Sequence, residues 1–72
     1  MTAIITANFI EFYYLTKENT ELFLDGKWVY EFENVFGREF KDYIFAYNWR
    51  DIKDIRSILD YFEAHNIKER KY

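Results

Sequence analysis

The sequence predicts a small α+β domain, in which an antiparallel sheet of three to four strands carries one C-terminal amphipathic helix on one face. Three patterns in the 72 residues support this prediction. Residues 3–15 are rich in β-branched and aromatic types, which favour strands. An Asp-Gly pair at residues 25–26 separates two apolar runs, and residues 52–62 carry apolar side chains at helical spacing. We expect one domain over residues 1–66 and a short basic C-terminal tail over residues 67–72.

The first strand is predicted within residues 3–15, where Glu11 is the only charged residue. Such a continuous apolar run indicates a strand that is covered on both faces or lies centrally in the sheet. The polar residues 16–20 follow as a predicted turn.

The Asp25-Gly26 pair predicts a hairpin of two antiparallel strands. Asp-Gly favours a type I′ turn, because both central residues of that turn need positive φ. A two-residue loop fixes the register and pairs Phe23 with Trp28 across the two strands. Both faces near the turn carry apolar side chains. Only one face can pack on the core, so the other face requires a second element or a partner to cover it.

Residues 34–48 are compatible with a helix or a strand. Five apolar residues fit helical spacing: Phe36, Phe40, Tyr43, Ile44 and Tyr47. Residues 42–47, however, have the composition of a strand. We favour a strand at about 40–48, because this aromatic segment directly precedes a clear helix start.

The C-terminal helix is predicted to begin at Asn48 and to run for about 15 residues. Asn48 is the expected N-cap, and Asp51 three residues later nearly completes a capping box. Charged residues separate an apolar stripe that should pack on the aromatic face of the sheet: Ile52, Ile55, Ile58, Leu59 and Phe62. His65 and Asn66 form the predicted C-terminal turn.

The composition excludes several classes of site. No Cys is present, so the chain has no disulfide framework and no thiolate metal site. No apolar run approaches the roughly 20 residues of a membrane span. The start of the chain lacks a secretory signal, so we expect a cytoplasmic protein. The chain has eight Phe, seven Tyr and two Trp, and such large side chains stabilise a small core. A core of this size cannot hold all of them, so some must lie at the surface. Surface Tyr and Trp are typical of protein interfaces.

Few residues are candidates for catalysis. His65 is the only histidine, and its place near the predicted helix end favours a capping or surface role. Ser57 has no histidine at helical spacing, and the two glycines, Gly26 and Gly37, are isolated, so neither a nucleophilic triad nor a phosphate loop is predicted. Three carboxylates interleaved with basic residues indicate a salt-bridged helix surface: Asp51, Asp54 and Asp60. We expect no enzyme activity, no metal and no cofactor.

The charge is divided unevenly along the chain. Residues 1–49 hold eight acidic and four basic side chains, a net −4, and residues 50–72 hold five acidic and six basic side chains, a net +1. Phosphates would be repelled from the acidic sheet half, so direct nucleic-acid binding is not expected. A single-stranded nucleic-acid binder that stacks bases on Trp28, Tyr30 and Trp49 is kept as an alternative.

Acidic residues and tyrosines of the sheet half form the candidate partner-binding surface. Such a surface is complementary to the basic, nucleic-acid-binding groove of a larger protein. The candidate contact residues are Glu21, Tyr30, Glu31, Glu33, Glu39, Asp42 and Tyr43. The same acidity also fits a surface that serves only solubility, and the sequence leaves both interpretations open.

The chain is very short, acidic and aromatic-rich, without cysteine or catalytic signatures. This profile is similar to that of phage or mobile-element proteins that inhibit host defence, including anti-CRISPR proteins, and it is carried by size and composition. The resemblance implies a small non-enzymatic inhibitor that blocks a nucleic-acid-handling complex by binding to it. A homodimeric structural or regulatory module is the alternative, because the two-sided hairpin leaves Leu22, Leu24 and Val29 without a cover.

Overall fold

The computed structural model describes residues 1–71. In chain order these contain β1 (Thr2–Ile5), α1 (Phe9–Glu18), α2 (Thr20–Asp25), β2 (Gly26–Val29), β3 (Asp42–Phe45), α3 (Ile55–Ala64) and β4 (Lys68–Glu69). Two short 3₁₀ turns, at Phe32–Val35 and Trp49–Asp51, lie before and after β3.

The four strands form one parallel sheet in the order β2-β1-β3-β4. At its centre Ile4 of β1 pairs with Trp28 of β2 on one side and with Ile44 of β3 on the other. The predicted antiparallel sheet with a single helix is therefore wrong. Parallel neighbours cannot be joined by a tight hairpin, so the chain crosses between them through helices and longer connections.

The predicted hairpin at Asp25-Gly26 does not form. Asp25 is the last residue of α2, and Gly26 begins β2 with an extended φ of −88°. A Cβ atom at this position would lie 2.5 Å from the Leu22 carbonyl oxygen and 2.7 Å from the Cδ1 atom of Ile4. The glycine therefore permits a close approach between helix and sheet, and it does not provide the positive φ of a turn.

The long strand predicted within residues 3–15 is a short strand followed by a helix. β1 ends at Ile5, and the side-chain oxygen of Asn8 accepts a hydrogen bond from the Ile10 backbone N–H at 2.8 Å. This N-cap satisfies one of the free donors at the helix start. The predicted turn at residues 16–20 instead contains the end of α1 and the start of α2.

The strand favoured at 40–48 is confirmed as β3, whereas the C-terminal helix is shorter than expected. Asn48 has a left-handed φ of 64° and precedes a 3₁₀ turn, so it is not the N-cap of α3. α3 begins only at Ile55, after Asp54.

The last residues of the chain belong partly to the sheet. Within the predicted tail at 67–72, Lys68 pairs with Asp42 and Glu69 with Tyr43, and the Arg70 N–H donates to the Tyr43 carbonyl oxygen at 2.7 Å. Tyr72 lies outside the described residues.

Helices cover both faces of the sheet. Alternate residues of β1 point to opposite faces: Ala3 and Ile5 enter a cluster with α3, and Ile4 enters a cluster with α1 and α2. This is the arrangement that right-handed crossovers give when β2 and β4 lie on opposite sides of the central pair. The α3 cluster contains eight buried residues: Ala3, Ile5, Val29, Val35, Phe40, Ile52, Ile58 and Phe62. The opposite cluster contains three: Ile4, Leu22 and Ile44.

Candidate functional site

The layer formed by α1 and α2 presents an apolar surface to solvent. Nine large apolar side chains are exposed among residues 1–71, and six of them lie on these two helices. We call them the α1–α2 outer face: Phe9, Ile10, Tyr13, Tyr14, Phe23 and Leu24. Their exposed fractions range from 48% to 77%, so packing within the fold leaves about a half or more of each side chain in contact with solvent.

The helical spacing of residues along α1 determines which of its apolar side chains face the sheet and which face solvent. Phe12 and Leu15 of α1 pack against the cluster of Ile4 beneath them. Phe9 and Tyr13 are four residues apart and form a row beside Phe12, and Ile10 and Tyr14 form the next row, farther from the sheet. Tyr13 and Phe23 line one groove, so the surface continues from α1 onto α2.

The size of the outer face exceeds that of an ordinary apolar patch. At roughly 150–250 Å² for a large aromatic side chain and somewhat less for Ile or Leu, six side chains exposed by about half or more present on the order of 600–700 Å². The largest apolar patch on a typical monomer measures about 300–600 Å², and one side of a standard protein interface about 800 Å². The outer face is therefore comparable to one half of an interface.

The same two helices carry the net charge of the chain. Residues 9–25 contain four acidic side chains and one basic side chain, a net −3, which equals the net charge of all 72 residues. Glu21 is paired with Arg70 at 2.9 Å, and Asp25 with Lys41 at 3.1 Å. Among residues 1–71, Glu11 and Glu18 form no ion pair.

Asp25 anchors the end of α2 to the sheet. The hydrogen bond from the Lys41 ammonium group lowers the pKa of the Asp25 carboxyl below its ordinary value of 3.8. The Met1 amino group lies 3.6 Å from the same carboxylate. Lys41 immediately precedes β3 and Met1 immediately precedes β1, so Asp25 links the helical layer to the amino ends of both central strands.

An aromatic cluster continues the outer face toward the carboxyl edge of β2. The Trp28 ring lies 5.2 Å from that of Phe9 and 4.2 Å from that of Tyr30, measured between centroids. The Trp28 indole N–H donates to the Thr6 carbonyl oxygen at 2.9 Å, which fixes the ring on the sheet. Tyr30, a sequence-predicted contact residue, is exposed at this margin.

The carboxyl edge between β1 and β3 is where strand order reverses, and doubly wound sheets commonly bind ligands there. In this chain the Thr6 hydroxyl donates to the Tyr47 carbonyl oxygen at 2.7 Å, and the Ala46 N–H donates to the Ile5 carbonyl oxygen at 2.9 Å. These bonds hold the two loops against each other at the point where a ligand crevice would open.

The sequence-predicted contact residues are distributed over several parts of the fold. Glu31 and Glu33 lie at the 3₁₀ turn beside Tyr30, and the Glu31 N–H donates to the Asn34 side chain at 2.9 Å. Glu39 is exposed in the loop before β3. Glu21 lies on α2, within the acidic helical layer.

The two remaining predicted contact residues belong to β3. Asp42 accepts a hydrogen bond from the Thr2 hydroxyl at 2.6 Å. Tyr43 lies on the α3 face, where its ring stacks on Phe62 with centroids 4.9 Å apart. Burial raises the pKa of the Tyr43 hydroxyl, and the negative charge of Glu69 adds to this effect. Tyr43 and Glu21 thus lie on opposite faces of the sheet.

The residues considered for catalysis lie in or beside α3 and in the second 3₁₀ turn. The Nδ1 atom of His65 lies 2.8 Å from the Tyr61 carbonyl oxygen, and its ring stacks on that of Tyr61. Asp51 lies in the second 3₁₀ turn and Asp54 precedes α3. No group of three or more potential metal ligands occurs within residues 1–71.

Comparisons with known proteins give no family for this chain. No family model, curated protein or solved structure matches it significantly. Within residues 1–71, no helix is both long and apolar enough to cross a membrane.

Proposed function

We propose that this chain is a small, non-enzymatic inhibitor that binds a larger protein through the α1–α2 outer face. The observation that carries the proposal is the concentration of six exposed apolar side chains on two adjacent helices. Tyrosine and phenylalanine with a rigid exposed ring contribute much of the affinity in protein interfaces.

The charge of the helices favours a basic partner. Residues 9–25 sum to −3 and the rest of the chain is neutral. Because Glu21 and Asp25 are paired with basic side chains of the same chain, the acidic groups of the layer that are left for a partner are those of Glu11 and Glu18. Two copies that met through this face would bring these carboxylates together, which opposes a homodimer. Phosphate backbones would be repelled in the same way. A protein whose surface is both apolar and rich in Lys or Arg, such as a nucleic-acid-binding groove, complements the face in both respects.

The test is a titration of purified basic, nucleic-acid-handling proteins, measured as dissociation constants at about 0.05 and 0.5 M salt. The profile shared with phage inhibitors of host defence makes nucleases and CRISPR effector complexes the first candidates. We expect at least one of them to bind and to lose nucleic-acid access on binding. Tyr13→Ala with Phe23→Ala should weaken this binding about 30-fold or more, as loss of an interface hot spot does.

Matched controls come from the exposed aromatic residues elsewhere on the molecule. Phe36 and Tyr47 are as exposed as Phe23, at 67% and 68%, but lie outside α1 and α2. Phe36→Ala and Tyr47→Ala should leave the dissociation constant unchanged. Equal losses from both pairs of variants, or affinity that rises with salt, would overturn the proposal. Concentration-dependent dimerisation in light scattering that Tyr13→Ala abolishes would assign the face to a second copy instead.

A further inference from the structure

A groove of about 340 Å³ lies between α1 and α2 and is bordered by two residues of the outer face, Tyr13 and Phe23. It is lined by Tyr13, Thr16, Lys17, Thr20 and Phe23. We propose, building on the proposed function, that this groove receives one aromatic or long aliphatic anchor side chain of the partner, flanked in the partner by Arg or Lys.

The walls and floor of the groove favour an apolar occupant. The rings of Tyr13 and Phe23 form part of its lining, and both are exposed at the surface. The Thr16 hydroxyl at the buried position donates to the Phe12 and Tyr13 carbonyl oxygens, at 2.9 and 3.1 Å. The one proton of that hydroxyl is used within its own helix, so the hydroxyl cannot donate a hydrogen bond to a ligand.

The volume of the groove suits a single side chain. About 340 Å³ lies at the lower end of the range for small-molecule pockets, roughly 300–1,000 Å³. Anchor residues of this kind occupy pockets near the centre of an interface, surrounded by contacts that exclude water. Tyr13 and Phe23 have Phe9, Tyr14 and Leu24 as neighbours on the outer face, so such surrounding contacts are available.

The charges beside the groove specify what should flank the anchor. In the chain, Glu18 lies between the lining residues Lys17 and Thr20, and Glu21 lies between Thr20 and Phe23. The Lys17 ammonium group lies 5.8 Å from the centroid of the Tyr13 ring, in cation–π contact. Glu21 already binds the Arg70 guanidinium at 2.9 Å, which shows that this margin accommodates a guanidinium group. A partner Arg or Lys would meet Glu18 in a similar way.

The experiment is an NMR titration of the isotopically labelled chain with three short synthetic peptides. The first is arginine-rich with one central Trp, the second replaces that Trp by Ala, and the third replaces every Arg by Glu. We expect saturable shifts of the Tyr13, Thr16 and Thr20 amides with the first peptide. The other two should bind about tenfold more weakly or not at all.

Variants place the binding in the groove. Thr20→Tyr fills the groove from an exposed position, and we expect it to abolish the shifts produced by the first peptide. Ser57→Tyr adds the same side chain to the exposed side of α3 and should leave those shifts unchanged. The amide spectrum of each variant reports directly whether it is folded.

The outcomes separate this inference from the proposed function. In one outcome, Tyr13→Ala with Phe23→Ala weakens binding of a protein partner, but the first peptide does not bind in the groove and Thr20→Tyr does not change binding. The anchor is then wrong and the binding face stands. If the peptide binds in the groove but no basic protein depends on the outer face, the anchor stands and the proposed function fails. Equal binding of the arginine and glutamate peptides overturns the charge part of the inference.

Discussion

α1 and α3 are two helices of ten residues that pack on opposite faces of the same sheet, and they differ in what they show to solvent. α3 buries Ile58 and Phe62 completely and exposes charged or small residues. α1 buries only Thr16, and aromatic or aliphatic residues occupy much of its exposed side. A helix that only covers a sheet needs an apolar inner face, so the apolar outer face of α1 is not required for covering the sheet.

The two layers are also attached to the sheet by different interactions. The α3 side is held by eight buried residues, whereas the α1–α2 side has three. The ion pairs of Glu21 and Asp25 supplement the smaller cluster, and both pairs are partly exposed. Exposed ion pairs contribute little to stability. More of the buried apolar packing is therefore on the α3 side than on the α1–α2 side.

The largest expected effect comes from Phe62, which is fully buried and packs on Phe40 and Tyr43. Phe62→Ala should lower the free energy of unfolding by about 3–5 kcal/mol, because it removes a buried ring and leaves a cavity. Urea unfolding followed by circular dichroism measures this loss. Phe23→Ala, at an exposed position of α2, is the matched control and should change the same quantity by less than about 0.5 kcal/mol. Similar losses at both positions would remove the distinction between the two layers.

Gly26 provides an intermediate effect at the junction between α2 and β2. In Gly26→Ala the new methyl group meets the Leu22 carbonyl oxygen at 2.5 Å, and this backbone atom cannot move aside without shifting the helix. We expect a loss of about 1–3 kcal/mol in the free energy of unfolding, typical of overpacking. Gly37→Ala tests a different cause, since its φ of 74° is strained for alanine although no atom lies within 4 Å. Greater stability of Gly26→Ala would show that the close approach is not rigid.

A smaller effect is expected from Lys41, as a change in pH dependence. Because the pKa of Asp25 is below 3.8 in the folded chain, its ionised form stabilises the fold above that value. This contribution is lost as the pH falls through the folded-state pKa. Lys41→Met removes the main cause of the shift, so its urea midpoint should fall less than that of the unchanged chain between about pH 5 and pH 2.

The control for this pH measurement is Lys53→Met, which removes an exposed lysine for which the described residues show no ion pair. Its acid-induced loss of stability should match that of the unchanged chain. An identical response in Lys41→Met would mean that Asp25 does not hold α2 through Lys41.

The two layers also differ in how well the sequence predicts them. The strand β3 and the amphipathic pattern of α3 were predictable, because polar residues separate the apolar ones at helical spacing. The pattern of α1 has no such separation, since its outer face is apolar, and it therefore has the composition of a buried strand. Asn8 with Glu11 three residues later was the signal for a helix start. The property that concealed the helix is thus the same property that marks the candidate site.

Other features depend on contacts between distant residues and could not be predicted locally. Asp25-Gly26 has the composition of a turn, yet the glycine is required by the approach of Ile4, which lies 22 positions earlier in the chain. The parallel direction of the strands depends on the crossover helices, two of which, α1 and α2, were not expected to be helices. Lys68 and Glu69 have no strand preference and join the sheet only beside β3.

The smallest expected effect on stability comes from giving α1 the kind of outer face that α3 has. Ile10→Glu combined with Tyr14→Lys replaces two exposed apolar residues by an acidic and a basic residue four positions apart. Such a pair stabilises a helix by about 0.2–0.5 kcal/mol, and neither original side chain is in the buried core. The free energy of unfolding in urea should therefore stay within about 0.5 kcal/mol of its original value. A loss above about 1 kcal/mol would show that the outer face contributes to folding, and its apolar character would then need no partner to explain it.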